Sequence, residues 1–278
     1  MGGKRKMEED KLSQLYSVLP WPDNPESKAG QEYYETTLGF MKRLIQHPWL
    51  EEILSRRKKI RILEVCGGAG YGGVALSRTI LNRASSVSLL ITDLRKKALA
   101  RAKKWGTQVI GKRVETLVID VKKIHTLRRK FDLALMYGLS TPHFNPRELV
   151  RLLSSVSDRL EEDGIFVVDE MDRRYTIFLN VGYKWALAEG AEEDRLAVSF
   201  HSGYDPSKGT FKRVFIDLAR RGTPVTLETF MWGLAEVAAM MWIFFKAVDL
   251  VQLRATRHFI LGYRPRKILK PQDLKENK

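Results

Sequence analysis

Residues 59–73 read K-I-R-I-L-E-V-C-G-G-A-G-Y-G-G, and no other stretch limits the fold of this chain so tightly. Ile60, Ile62, Leu63 and Val65 form a short apolar run, rich in β-branched residues, that stops at glycines. That is the pattern of a buried strand entering a tight turn. Glycines at 67, 68, 70, 72 and 73 remove the Cβ atoms that hold a ligand off the backbone. The pattern predicts a helix starting near Tyr71 and running through Ala75, Leu76 and Ile80. Strand, glycine turn and helix N-terminus together make a cradle of nucleotide size.

Two nucleotide-bearing cofactors compete for it. Gly68-Ala69-Gly70-Tyr71-Gly72-Gly73 satisfies the dinucleotide fingerprint G-x-G-x-x-G, and Asp93 follows Gly73 by 20 residues at the end of the next apolar strand. A carboxylate there accepts both ribose hydroxyls and suits NAD(H) as well as any other ribonucleoside. Glu64 separates the two. It closes the strand just before the glycines, where a pyrophosphate gains nothing from a neighbouring carboxylate and a cationic amino or sulfonium group gains a good deal. The residues therefore favour S-adenosylmethionine, with NAD(H) left open.

The segment L-E-V-C-G-G-A-G-Y-G resembles the first motif of the class I S-adenosylmethionine-dependent methyltransferases, an acidic residue with glycines two, four and six positions later. Glu64, Gly68 and Gly70 match it, and Cys66 replaces the first glycine. The resemblance spans residues 59–266. It implies that Glu64 lies near the methionine amino group, that Gly67, Gly68 and Gly70 back the methionine portion, and that Asp93 with Leu94 serves the ribose. It also implies that Asp120 meets the adenine amino group while Val121 packs on the ring.

The chain has 278 residues, 44% of them hydrophobic, enough for one substantial core with a subdomain. One cysteine excludes an intramolecular disulfide, and with no apolar leader segment a cytoplasmic protein is expected. The most apolar segment, 237–245, is interrupted by Lys246 and Asp249; it is too short for a membrane span and reads as a buried or half-buried helix. A net charge of +15 keeps RNA open as a partner, although basic clusters such as Arg95-Lys96-Lys97 read first as solvated surface. No RNA-binding module signature accompanies them.

Expected organisation is an N-terminal helical lid over 1–58, a cofactor domain over 59–266 and a flexible basic tail over 267–278. In the lid, helices at 12–19, 31–44 and 49–54 are separated by Pro20, Pro22 and Pro25, with Tyr16 and Trp21 nearby. The domain reads as an α/β fold. Its sheet is open, mostly parallel and seven-stranded, with helices on both faces and the last strand antiparallel. Strands are expected at 60–65, 87–92, 114–119, 131–137, 164–168, 248–253 and 258–263. Between 173 and 231 the alternating runs 196–201, 211–217 and 225–230 predict a small inserted antiparallel sheet. In the resembled family, insertions here roof the pocket of small-molecule acceptors.

Open α/β sheets bind ligands at the carboxyl ends of their strands, which singles out Tyr137, the loop residue His143, and Asp169 and Glu170 after the fifth strand. Together with His201 in the expected roof, these are the candidates for a catalytic base, and Tyr137 also counts as a cofactor neighbour. Asp120 has a second reading as a helix N-cap. The loop after Tyr137 lacks the Asn-Pro-Pro-Tyr run of base-amino methyltransferases. The lone Cys66 sits in the glycine turn, where it does not serve as a cytosine-C5 nucleophile. No metal site is expected. A small-molecule acceptor is favoured, with RNA second; oxidoreductase and non-catalytic RNA-binding readings stay open, and the oligomeric state is not legible.

Overall fold

The computed structural model describes residues 11–84, 86–192, 195–220 and 222–274. The polar stretch 1–10, Arg221 between the last two expected strands of the insertion, and the tail end 275–278 lie outside the described residues. A seven-stranded sheet has the order β10-β11-β5-β4-β1-β2-β3. Its strands are β1 (Lys59–Glu64), β2 (Ser86–Asp93), β3 (Glu115–Val118), β4 (Phe131–Met136), β5 (Leu160–Met171), β10 (Phe245–Gln252) and β11 (Arg257–Pro265). The pairs β1–β2, β1–β4, β2–β3 and β4–β5 are parallel, while β11 runs antiparallel to both β5 and β10. This is the expected fold class.

Alternation along β1 divides the core. Ile60 and Ile62 face a layer that includes Met41, Leu44 and Val74, with α1 (Lys28–Leu44), α2 (Pro48–Arg56), α3 (Tyr71–Ile80) and α4 (Lys96–Ile110) on that side. Leu63 and Val65 face the opposite layer with α5 (Pro146–Asp158) and α6 (Leu234–Phe244). Local chemistry sets the helix starts. Ser27 caps α1 by accepting from Gly30 N, and Asn145 with Glu148 forms a reciprocal capping box on α5.

The inserted sheet is real but has four strands, β6 (Ala186–Glu192), β7 (Arg195–Asp205), β8 (Thr210–Asp217) and β9 (Val225–Thr229), all antiparallel. The sequence reading missed β6 because A-L-A-E-G-A-E has little strand propensity. Its register shifts between Ala188 and Gly190. Residues Arg174–Asn180 form a π-helix. The apolar segment 237–245 contributes most of α6, yet Trp242 is 63% exposed. No helix among the described residues is long and apolar enough to cross a membrane.

Candidate active site

The glycine turn after β1 is held by its own backbone and by Asp93. Gly67 N donates to Thr92 O (2.9 Å), Gly70 N to Gly67 O (2.7 Å) and Gly68 N to Asp93 Oδ2 (2.8 Å). Cys66, standing where the motif has glycine, adopts φ +53°, a left-handed conformation that costs an L-residue energy. Gly70 caps α3 at φ +82°, and a Cβ there would lie 2.6 Å from Ile91 Cδ1 and 3.1 Å from Ala102 Cβ. The missing side chain of Gly70 therefore lets α3 approach the sheet and α4 closely.

Glu64 ends β1 at 1% exposure beneath the first turn of α3, next to Gly72 and Gly73. Burial pushes its carboxyl up to about 8, the amides of Gly73 and Gly72 pulling the other way. Its Oε2 has no partner of hydrogen-bond geometry. A buried carboxylate oxygen with one side unsatisfied, opening on a glycine backbone, suits a cationic ligand group.

Three cavities share walls at the carboxyl ends of β1 to β4. One of about 20 Å³ is lined by Glu64, Cys66, Gly67, Gly68, Tyr137 and Gly138 under a cover of Tyr16, Trp21 and Tyr33. A second, about 190 Å³, is lined by Asp93, Leu94, Asp120, Val121, Ser140 and His143 below, and by Leu227 and Glu228 of β9 above. The third, about 560 Å³, lies outside the segment that carries Tyr16 and Trp21. Tyr16 and Arg95 line all three.

The cover is a strap spanning residues 11–25. Trp21 packs edge-on against Tyr33, and Tyr33 against Tyr71, whose hydroxyl donates to Pro22 O at 2.6 Å. Arg95, read from sequence as part of a solvated cluster, is only 7% exposed. Its guanidinium carbon sits 3.9 Å from the centre of the Tyr16 ring, and its Nη2 lies where a Cβ on Gly68 would collide at 2.5 Å. Nothing in the sequence separates Arg95 from Lys96 and Lys97 except its place two residues after the strand-terminal Asp93.

Asp120 meets its N-cap reading and also borders a cavity. It caps the 3-10 helix Val121–Thr126 by accepting from Lys122 N at 3.0 Å, and it lines the second cavity with Val121. His143 lines that cavity as well, and burial pushes its imidazole down to about 4, so it is neutral at pH 7. Tyr137 reaches the smallest cavity while its hydroxyl meets Thr37 Oγ1 at 2.9 Å; burial raises its phenol, which stays protonated.

The other three expected site residues sit elsewhere. Asp169 and Glu170, expected where the fifth strand ends, are ladder residues of β5, paired with Phe259 and His258 of β11. Asp169 is fully buried and takes two hydrogen bonds from Arg257, at 2.8 and 2.6 Å, and one from Gly138 N at 2.9 Å. Glu170 is tied to Arg173, Thr141 and Met171 N. With arginines neutralising both carboxylates, β5 runs on to Met171, three residues past the expected strand end at 168. His201 lies on β7 with Nδ1 at 2.6 Å from Tyr183 Oη and its ring edge-on to Trp185. None of the three lines these cavities.

Residues 62–164 match the family model of the methyltransferase domain, a span that holds the glycine turn and the β1–β5 half of the sheet. Residues 62–164 thus carry a methyltransferase domain. The nicotinamide reading loses its support with that match, because the G-x-G-x-x-G string lies inside the matched domain. In fold, the methyltransferase is similar to the PH0226 protein from Pyrococcus horikoshii OT3, at 17% identity and TM-score 0.60 over 89% of this chain and 97% of that one. It is also similar to an S-adenosylmethionine-dependent methyltransferase from Clostridium acetobutylicum ATCC 824 (14%, TM-score 0.58, 77% and 89%). A third likeness is to the sugar N-methyltransferase KedS8 from Streptoalloteichus sp ATCC 53650 (16%, TM-score 0.55, 83% and 87%). Among curated proteins none matches the chain.

Proposed function

We propose that this methyltransferase acts on a small-molecule acceptor enclosed between the strap and the inserted sheet, with an amine nitrogen as the nucleophile. The observation that carries the reading is the roof. The strap and the inserted sheet pack on one another through Leu15, Val18, Ala197, Phe215 and Val225, so that strap and β9 residues stand over the carboxyl ends of the strands instead of leaving an open face. A recessed site bordered by two packed segments suits a small ligand better than a polymer laid across a surface.

The residues present fit the cofactor. Glu64, with its unsatisfied Oε2, would hold the amino group, the Gly67 and Gly68 backbone would back the methionine portion, and Asp93 and Asp120 would serve ribose and adenine. When bound, S-adenosylmethionine supplies an electrophilic methyl group on a cationic sulfur. The protein orients the acceptor and excludes water. Trp21 and Tyr33 cover the Gly67–Gly138 side, and Asp169 fixes the β4 loop through the Gly138 amide. Base chemistry is scarce here. Asp169 and Glu170 are locked in ion pairs, Tyr137 stays protonated, and His143 is too weak a base to hold a proton at pH 7. A neutral amine attacks without prior deprotonation, whereas a hydroxyl needs a base. The KedS8 likeness, to a sugar N-methyltransferase, points the same way.

RNA is the second reading, favoured by the +15 charge. Calorimetric titration with S-adenosylhomocysteine and, in parallel, NADH tests the cofactor. Micromolar binding of the first alone is expected. Transfer from methyl-labelled S-adenosylmethionine to small amines, but not to RNA, then tests the acceptor. Label on RNA, with binding that falls steeply as salt rises, reverses the assignment.

A further inference from the structure

On the outer side of the strap, the cavity of about 560 Å³ lies between residues 13–29 and the first turns of α4. Its size is that of a small-molecule site, and its charge is one-sided. Arg95, Lys97, Arg101 and Arg195 line it against a single carboxylate, Asp23. Arg95 reaches Asp23 Oδ1 at 3.2 Å, and Arg101 pairs with Oδ2. Arg95 also meets Asp93 Oδ1 at 3.4 Å, so Asp23 serves Arg101 and shares Arg95 with a second carboxylate that does not line this cavity. Arg195 comes from the inserted sheet and is positioned by donating from Nη1 to Leu19 O at 3.1 Å. Ser13 and Ser17 add hydroxyls to the same wall.

Like charges gathered around one cavity repel unless an anion joins them, and arginine forks match the oxygens of phosphate and carboxylate. The cavity also adjoins the reaction site, since Tyr16, Trp21 and Arg95 separate it from the space next to Gly67 and Gly138. We propose that this cavity docks an anionic group, a phosphate or a carboxylate, carried by the methyl acceptor. The inference rests on the small-molecule reading above and narrows its substrate class to an amine that also bears an anion.

The test titrates inorganic phosphate, acetate and S-adenosylhomocysteine separately into the full-length protein and into Arg101→Gln/Arg195→Gln. Neither substituted residue lines the two cavities assigned to the cofactor. Millimolar binding of phosphate or acetate is expected in the wild type, weakened about tenfold or more in the variant, with S-adenosylhomocysteine affinity unchanged. The tighter of the two anions identifies the group. Anion binding that is undetectable in the wild type, or equal in the variant, overturns the proposal. So does displacement of the bound anion by an RNA oligonucleotide, which gives the cavity to a polymer. Lack of S-adenosylhomocysteine binding to the wild type sinks the cofactor-site reading instead, whatever phosphate does. Should the double variant not fold, Lys97→Gln, at an exposed position of α4, gives the same readout.

Discussion

Glu64 concentrates most of the chemistry in one side chain. Its folded value of about 8 lies above the ordinary 4.5 because burial favours the neutral acid. A group raised in this direction gives its full stabilisation below about pH 4.5, and that stabilisation is lost as pH rises through about 8. Glu64→Gln should therefore raise the melting temperature of the ligand-free protein at pH 8, by about 5 °C, and leave it nearly unchanged near pH 4.5, as read by calorimetry. The same variant should bind S-adenosylhomocysteine about tenfold or more weakly, since one charge-assisted hydrogen bond is lost. Unaltered affinity would remove Glu64 from the cofactor site. Gly70 is the contrasting residue. Gly70→Ala places a methyl group 2.6 Å from Ile91 Cδ1 at φ +82°, and should cost about 2–4 kcal/mol in denaturant unfolding. A fully stable Gly70→Ala protein would show that α3 can shift at no cost.

At the scale of elements, the pairing of β5 with β11 joins the fold to the site. Asp169 sits in β5, Arg257 opens β11, and their ion pair presents Asp169 Oδ2 to the Gly138 amide. Arg257→Ala leaves a fully buried carboxylate unpaired, which typically costs about 3–5 kcal/mol. The expected result is a large drop in the denaturation midpoint with unchanged m-value, and slower methyl transfer in the surviving folded fraction because the Gly138 loop loses its anchor. Activity of the folded fraction equal to wild type would confine the pair to a stability role. Strand existence was readable here from F-V-V-D-E and H-F-I-L-G-Y. The strand end was not, because a carboxylate looks like a terminator until its arginine is known.

For the whole molecule, the strap and the inserted sheet share a core of their own. Leu15 and Val18 pack with Ala197, Phe215 and Val225, apart from the two layers that sandwich the large sheet. Cover and roof therefore move as one body if they move at all. Phe215→Ala should loosen this small core while sparing the main one. Dissociation of S-adenosylhomocysteine in stopped flow should speed up by about tenfold, with only a small change in global unfolding. Equal dissociation rates would mean that the strap holds without the roof.

The sequence by itself determined the cofactor cradle and the layer plan. Both are local properties: a β-branched run, glycines where Cβ atoms are excluded, and a carboxylate at a fixed offset from each strand end. That is why the strand ends at Glu64 and Asp93 and the turn at Gly68 are legible from the chain itself. What only the tertiary structure decided is which charged and aromatic side chains are taken out of water. Arg95 is buried under Tyr16 although its two lysine neighbours are exposed, Asp169 and Glu170 are sealed by arginines, and His201 is held by Tyr183 away from the cavities. Burial of a charge depends on partners that meet it across the fold, and no local pattern in the chain records them.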